Sequence, residues 1–105
     1  MFIEFDKEYL RELYTEGKTS DKKHRYQPEV IRGYQKAVFQ LSSANRIEDL
    51  FPNKSLNYEA LQGDKKGVSS VRINKKYRLE FTVKEAHDEQ IITFCRLLDI
   101  SNHYK

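Results

Sequence analysis

Apolar and polar residues alternate most regularly over positions 77–83 of this chain. The apolar members of the alternation are Tyr77, Leu79, Phe81 and Val83. A period of two residues is typical of a β-strand with one buried face. The preceding segment, 68–74, is rich in β-branched residues but alternates less regularly. The two segments together predict a β-hairpin, of which the second strand is the clearer one.

The register of this hairpin places two arginines opposite each other. If Ile73 faces the same way as Tyr77, the connection is the three residues 74–76, and Arg72 lies across from Arg78. Like charges opposite each other destabilise a sheet. The pair therefore indicates a bound anion, and guanidinium groups suit a phosphate because each offers a planar fork of donors. The alternative is a pair of solvated surface arginines.

Two helical patterns precede the hairpin. The first follows a short strand at 1–5, starts with Asp6 as its cap and runs to about Glu16, where Gly17 ends it. The second begins at Pro28. Its apolar residues recur at the spacing of one helix face, and they are Val30, Ile31, Tyr34, Ala37, Val38 and Leu41.

The remaining segments complete an α+β fold. We expect a short helical turn at 47–51, a strand at 58–62, a turn at 63–67, a polar turn at 84–89 and a last strand at 90–100. These elements predict four to five mostly antiparallel strands in a twisted sheet, with both helices on one face and the other face open. The length of 105 residues suits one domain, 1–105.

Charge and cysteine content narrow the function classes. The 19 basic and 16 acidic residues give a net charge of +3, which permits a nucleic-acid partner. Cys95 lies in an apolar run and predicts a buried structural thiol. The histidines have no metal-ligand spacing, so we expect neither metal nor cofactor. We find no leader and no apolar run long enough to cross a bilayer, and therefore expect a cytoplasmic protein.

Three further residues are placed to line the open face: Glu59, His103 and Tyr104. Cleavage of RNA by internal transesterification needs a base for the 2′-hydroxyl, cations for the phosphate and an acid for the departing 5′-oxygen. Glutamate, arginine and histidine supply these functions, and tyrosine offers a surface on which a base stacks. The alternative for each residue alone is an ordinary surface or core role.

The order of these motifs resembles the RelE/ParE superfamily of toxins from type II toxin-antitoxin pairs. The reactive residues look like the YoeB branch, whereas the front half and the scaffold look like the HigB branch. The segments that carry the resemblance are Gly17–Ser20, Arg46–Leu50, Tyr58–Gly67, Ser69–Asn74, Tyr77–Phe81 and His103–Tyr104.

The resemblance implies a RelE-like fold and a metal-independent, ribosome-dependent mRNA endoribonuclease that cuts in the A site. It implies Glu59 as general base, His103 as general acid, Arg72 and Arg78 as phosphate clamps, and Tyr104 as a stacking or orienting group. Exposed cations are then candidates for contacts with ribosomal RNA, and they are Lys22, Lys23, Arg25, Lys65, Lys66, Lys75 and Lys76.

The implied partners are the ribosome, mRNA and an antitoxin, expected to be a HigA-like helix-turn-helix protein that brings the complex to operator DNA. No membrane partner is expected. One departure from the HigB pattern concerns Gln62, where that branch commonly has lysine, with Lys65 or Lys66 as possible replacements. Two alternatives stay open: a ParE-like toxin that targets gyrase, and a catalytically weak relative that only binds antitoxin and DNA.

Overall fold

The structure is a computed structural model that describes residues 1–102. Two α-helices are present, α1 at Glu8–Glu16 and α2 at Pro28–Ser43. Short 3₁₀ turns lie at Lys22–His24, Ile47–Leu50 and Gly63–Lys65. Gly17 ends α1 with φ of 74°, a left-handed conformation that glycine adopts without strain. The predicted helices and the predicted helical turn at 47–51 are confirmed.

The five strands form one mixed sheet. They are β1 at Phe2–Phe5, β2 at Glu59–Ala60, β3 at Ser69–Arg72, β4 at Tyr77–His87 and β5 at Ile91–Asn102. Their order across the sheet is β1-β5-β4-β3-β2, with β1 and β5 parallel and every other pair antiparallel. The expected α+β class and mainly antiparallel sheet are confirmed.

The hydrophobic core lies between the helices and one face of the sheet. Because alternate residues of a strand face opposite ways, the apolar set of β4 turns toward the helices as predicted. Cys95 is fully buried in this core, as expected of a structural thiol, and burial raises its pKa to about 12. The other fully buried core residues include Leu10, Leu13, Tyr34, Val38, Leu41, Val71, Leu79, Phe81 and Leu97.

The β3–β4 hairpin has the predicted register. Val71 lies opposite Leu79, and Arg72 lies opposite Arg78. The backbone N–H of Ile73 donates to the carbonyl oxygen of Tyr77 at 3.0 Å, which closes the connection over 74–76. The hairpin therefore fixes two arginine backbones side by side.

Two local predictions were wrong. Residues 84–87 belong to β4 rather than to a turn, since they pair with β5 as far as His87 opposite Ile91. Alternation is lost there because the strand is exposed, and hydrogen bonds to β5 hold it instead. Asp6 does not cap α1, whose cap residue is Lys7, because its carboxylate accepts from Arg96 Nη2 at 2.8 Å.

Candidate active site on the open sheet face

The face of the sheet away from the helices carries the candidate chemistry. Residues paired across antiparallel strands project to the same face. The register places Glu59, Ser70 and Glu80 in one row, because Glu59 pairs with Ser70 and Ser70 with Glu80. Arg72 and Arg78 form the next row. Three of the predicted catalytic residues therefore come from three neighbouring strands, β2, β3 and β4.

Arg78 is the buried centre of this site. It is only 4% exposed, so the alternative of two solvated surface arginines is excluded for this one. Its Nε donates to Ser70 Oγ at 2.9 Å, and Nη2 donates to the carbonyl oxygen of Asn57 at 2.5 Å. The loop before β2 folds over the guanidinium and supplies that carbonyl. A buried cation with fixed donors acts in a lower effective dielectric than a surface arginine does.

Glu59 stands beside this cation. One carboxylate oxygen, Oε1, is 3.8 Å from Arg78 Nη1, and the Glu59 side chain is 41% exposed. The distance is that of a loose ion pair rather than a tight bidentate one. The carboxylate is therefore held near a fixed positive charge while its other side stays open to solvent and to a substrate.

Arg72 is the exposed member of the arginine pair. Its backbone is held tightly, since its N–H donates to the carbonyl oxygen of Leu56 at 2.6 Å. The exposed side chain therefore projects from a backbone that the sheet and this hydrogen bond hold in place. The candidate site therefore has one buried arginine, Arg78, and one exposed arginine, Arg72.

Sequence reasoning missed Glu80. Its carboxylate Oε2 is 2.8 Å from Lys65 Nζ, and the Glu80 side chain is only 13% exposed. This ion pair ties the turn after β2 to the centre of the site. The available signal was the alternation of β4, which puts Glu80 on the same face as Arg78. Lys65 thus brings its ammonium to this face, near the region where Gln62 supplies no charge.

The structure describes some of the other predicted site residues and not others. His103 and Tyr104 lie outside the described residues. All the predicted RNA-contacting cations are exposed, and besides Lys65 they are Lys22, Lys23, Arg25, Lys66, Lys75 and Lys76. They do not form one continuous patch along the chain: some occupy the 3₁₀ turn before α2, and others occupy the two turns that flank β3.

Two classes of site are not found within residues 1–102. This part of the chain has no group of three or more histidine, cysteine, aspartate or glutamate side chains placed to hold a metal ion. None of its helices has the length and hydrophobicity that crossing a membrane requires.

Comparison with known proteins decides the family. Residues 3–94 match the model of the HigB-like toxin family, described as RelE-like toxin of type II toxin-antitoxin system HigB. The chain belongs to this family. It is also 35% identical over 85 residues to Toxin HigB-1 of Vibrio cholerae serotype O1, across 77% of this chain and 82% of that protein. The protein is therefore a RelE-like toxin of a type II toxin-antitoxin system.

Solved structures with the same fold have more distant sequences. The YoeB/ParE toxin from Agrobacterium tumefaciens is 15% identical, with a TM-score of 0.54 over 99% of this toxin and 100% of that chain. The YoeB-YefM complex from Staphylococcus aureus is 21% identical, with a TM-score of 0.54 over 99% of this toxin and 98% of that chain. YafQ from E. coli strain BL21(DE3) is 10% identical, with a TM-score of 0.54. At these identities the likeness establishes the fold.

Proposed function

We propose that this toxin cleaves mRNA in the ribosomal A site by metal-independent transesterification. The observation that carries the proposal is the placement of Glu59 beside the buried Arg78, on a face that also carries Arg72. A base next to two cations is the arrangement that attack of a 2′-hydroxyl on the adjacent phosphate requires.

In the proposed reaction, Glu59 removes the proton of the 2′-hydroxyl. The 2′-oxygen then forms a bond to phosphorus while the bond from phosphorus to the 5′-oxygen breaks. His103 protonates the departing 5′-oxygen, which becomes a 5′-hydroxyl. The other product is a 2′,3′-cyclic phosphate, which water opens to a 3′-phosphate. Exposure of the Glu59 carboxylate supports its role, because the base has to reach the substrate.

The two arginines are assigned to the charge that develops on the phosphate. Arg78 is fixed by Ser70 and Asn57, so little reorganisation is needed when charge increases on a nearby oxygen. Arg72 is exposed and adjusts to the substrate. Lys65, held by Glu80, adds a further positive charge at the edge of the site. Tyr104 is assigned to stacking on, or orienting, the substrate base.

The proposal extends to partners and place of action. Exposed cations on the turns around β3 and before α2 suit the phosphates of ribosomal RNA. As a type II toxin, the protein has an antitoxin partner. We assign that role to a HigA-like helix-turn-helix protein that blocks the site and carries the complex to operator DNA. We also assign residues 1–105 to a single toxin domain that acts in the cytoplasm.

The test is primer extension on a defined mRNA during in vitro translation. The wild type is compared with His103→Ala, and with reactions that contain the mRNA but no ribosomes. We expect cuts at A-site codons that need ribosomes and disappear in the variant. Absence of cuts with the wild type rejects the proposal and leaves gyrase inhibition or a non-catalytic role, which a gyrase supercoiling assay separates.

A further inference from the structure

A cavity lies at the turn end of the arginine hairpin. It has a volume of about 550 Å³, within the range of sites that hold small organic ligands. Three parts of the chain line it: the segment after the first 3₁₀ turn, the start of α2 and the 74–76 turn. Its lining residues are Arg25, Tyr26, Gln27, Glu29, Val30, Asn74, Lys76 and Tyr77.

Two tyrosines give the cavity an aromatic wall. The rings of Tyr26 and Tyr77 meet edge to face, with centroids 5.2 Å apart. Each side chain is partly buried against the core, which fixes its ring. Burial, with the nearby Asp99, raises the pKa of Tyr26 to about 12. Fixed aromatic rings are the surfaces on which unpaired nucleobases stack.

Two cations border the same wall. Lys76 Nζ lies 5.5 Å from the centroid of the Tyr77 ring, and Arg25 immediately precedes Tyr26 in the chain. Both cations are exposed, and Glu29 is the opposing carboxylate in the lining. A partly buried aromatic ring with exposed cations beside it matches a nucleotide, whose base is planar and whose phosphate is anionic.

We propose that this cavity is a subsite for one nucleotide of single-stranded RNA, with its base on Tyr26 and its phosphate at Arg25 and Lys76. The turn that contributes Lys76 joins the strands of Arg72 and Arg78, but Tyr77 projects to the side of β4 that packs against the core, so the subsite lies around the end of the hairpin from the candidate active site. The inference deepens the proposed function, because it assigns a binding position outside the reacting residues.

Binding is measured without cleavage, so that the subsite and the proposed reaction are tested separately. The protein is the full chain carrying Glu59→Gln, and the probe is a 2′-O-methylated RNA trinucleotide, which has no attacking hydroxyl. Chemical shift titration should give perturbations at Tyr26, Lys76 and Tyr77. Loss of one stacking or phosphate contact should weaken binding about tenfold, the factor that corresponds to about 1.4 kcal/mol.

Matched variants identify the chemistry. Tyr26→Leu and Lys76→Ala should each weaken binding, Tyr26→Phe should restore it because the ring remains, and Arg32→Ala on the exposed side of α2 should leave it unchanged. Equal binding by all four variants overturns the subsite. If Tyr26→Leu instead weakens binding of the antitoxin and not of RNA, the cavity serves a protein partner, and the proposal is also overturned.

Cleavage during translation distinguishes mRNA from ribosomal RNA as the source of the nucleotide. A changed codon preference in Tyr26→Leu assigns the subsite to mRNA, whereas an equal loss at every codon assigns it to ribosomal RNA. Either result supports a nucleotide subsite. RNA binding at this cavity without mRNA cleavage by the wild type would keep the subsite and reject the proposed reaction.

Discussion

Arg78 combines two roles that surface arginines do not combine. It is buried under the loop before β2, where it donates to Ser70 and Asn57, and it lies 3.8 Å from the Glu59 carboxylate. The same hydrogen bonds that fix its charge for a substrate also hold β2 and its loop against β3. In the proposed reaction, Arg78 therefore contributes to both catalysis and stability.

Replacing Glu59 with glutamine tests the base. The amide has the same shape but cannot take up the 2′-hydroxyl proton, so cleavage should fall by about 10²–10⁴-fold. Primer extension during translation measures the loss, and thermal unfolding should be almost unchanged because the side chain is 41% exposed. Glu85→Gln, at an exposed position of β4, is the matched control and should cut like the wild type. Full activity in Glu59→Gln would contradict the assignment of the base.

The two arginines should respond differently to alanine substitution. Arg72→Ala should lose cleavage with stability kept within about 0.5 kcal/mol, because the side chain is exposed. Arg78→Ala should lose cleavage and also about 1–3 kcal/mol of unfolding free energy, because buried partners such as Ser70 lose a donor. Urea denaturation of both variants measures the difference. Equal stability would show that the Arg78 contacts contribute nothing to folding.

Much of the site at this scale was predictable. The position of Arg72 opposite Arg78 followed from the alternation of β4 and the turn length. The burial of Arg78 did not, because it depends on a carbonyl from Asn57, 21 residues away in the chain. The Lys65–Glu80 pair was missed for the same reason: side-chain pairing across a turn leaves no periodic pattern in the sequence.

At the scale of elements, α2 touches the arginine hairpin through a glycine. A Cβ added at Gly33 would lie 2.8 Å from the carbonyl oxygen of Ile73, a distance that requires the backbone to move. Alanine is a better helix former than glycine by about 1 kcal/mol. At this position the steric cost of the contact with Ile73 is expected to exceed that gain. The sequence pattern predicted the apolar face of α2 but not the contact between Gly33 and Ile73.

Gly33→Ala should therefore destabilise the toxin by about 1–3 kcal/mol and reduce cleavage, because the helix pushes against the end of β3. Thermal unfolding and the primer-extension assay measure the two effects. Arg32→Ala, one residue earlier and exposed, is the control and should be close to neutral. A more stable Gly33→Ala protein would mean that α2 and the hairpin separate readily.

The ends of elements were the least predictable parts. The segment 84–87 is polar and exposed, so its sequence resembles a turn, yet it pairs with β5. Asp6 resembles a helix cap, but Arg96 binds its carboxylate from β5. In both cases β5 supplies a partner that the local sequence cannot show.

At the scale of the molecule, Asp99 joins the helical layer to the sheet. Its carboxylate accepts hydrogen bonds from the Tyr9 hydroxyl and from Lys7 Nζ, the latter at 3.1 Å. Partial burial raises the pKa of Asp99, but these two donors outweigh that effect and hold the pKa below its usual value. The folded state therefore binds this proton less readily than the unfolded chain does.

The lowered pKa of Asp99 determines how the stability of the fold changes with pH. Asp99 stabilises the fold at pH values above the ordinary carboxyl pKa of about 3.9, and the contribution disappears as the pH falls through its lowered folded-state pKa. Asp99→Asn should cost about 0.5–1 kcal/mol at pH 7, since the pair is partly exposed. Urea denaturation of both proteins from pH 7 to 3 should show the difference shrinking in acid. A constant difference would exclude this linkage.

The pairing of β1 with β5 has a consequence for the timing of toxicity. Phe2 of β1 pairs with Phe94 of β5. β1 is the first of the five strands in the chain and β5 is the last, so this pair can form only after β5 has been synthesised. Contacts between such distant segments form late, after most of the chain has been made. Until β5 emerges, β4 also lacks one neighbour, and the strand that carries Arg78 is an unprotected edge. We therefore expect toxicity to begin only after β5 has been synthesised and has paired with β4 and β1.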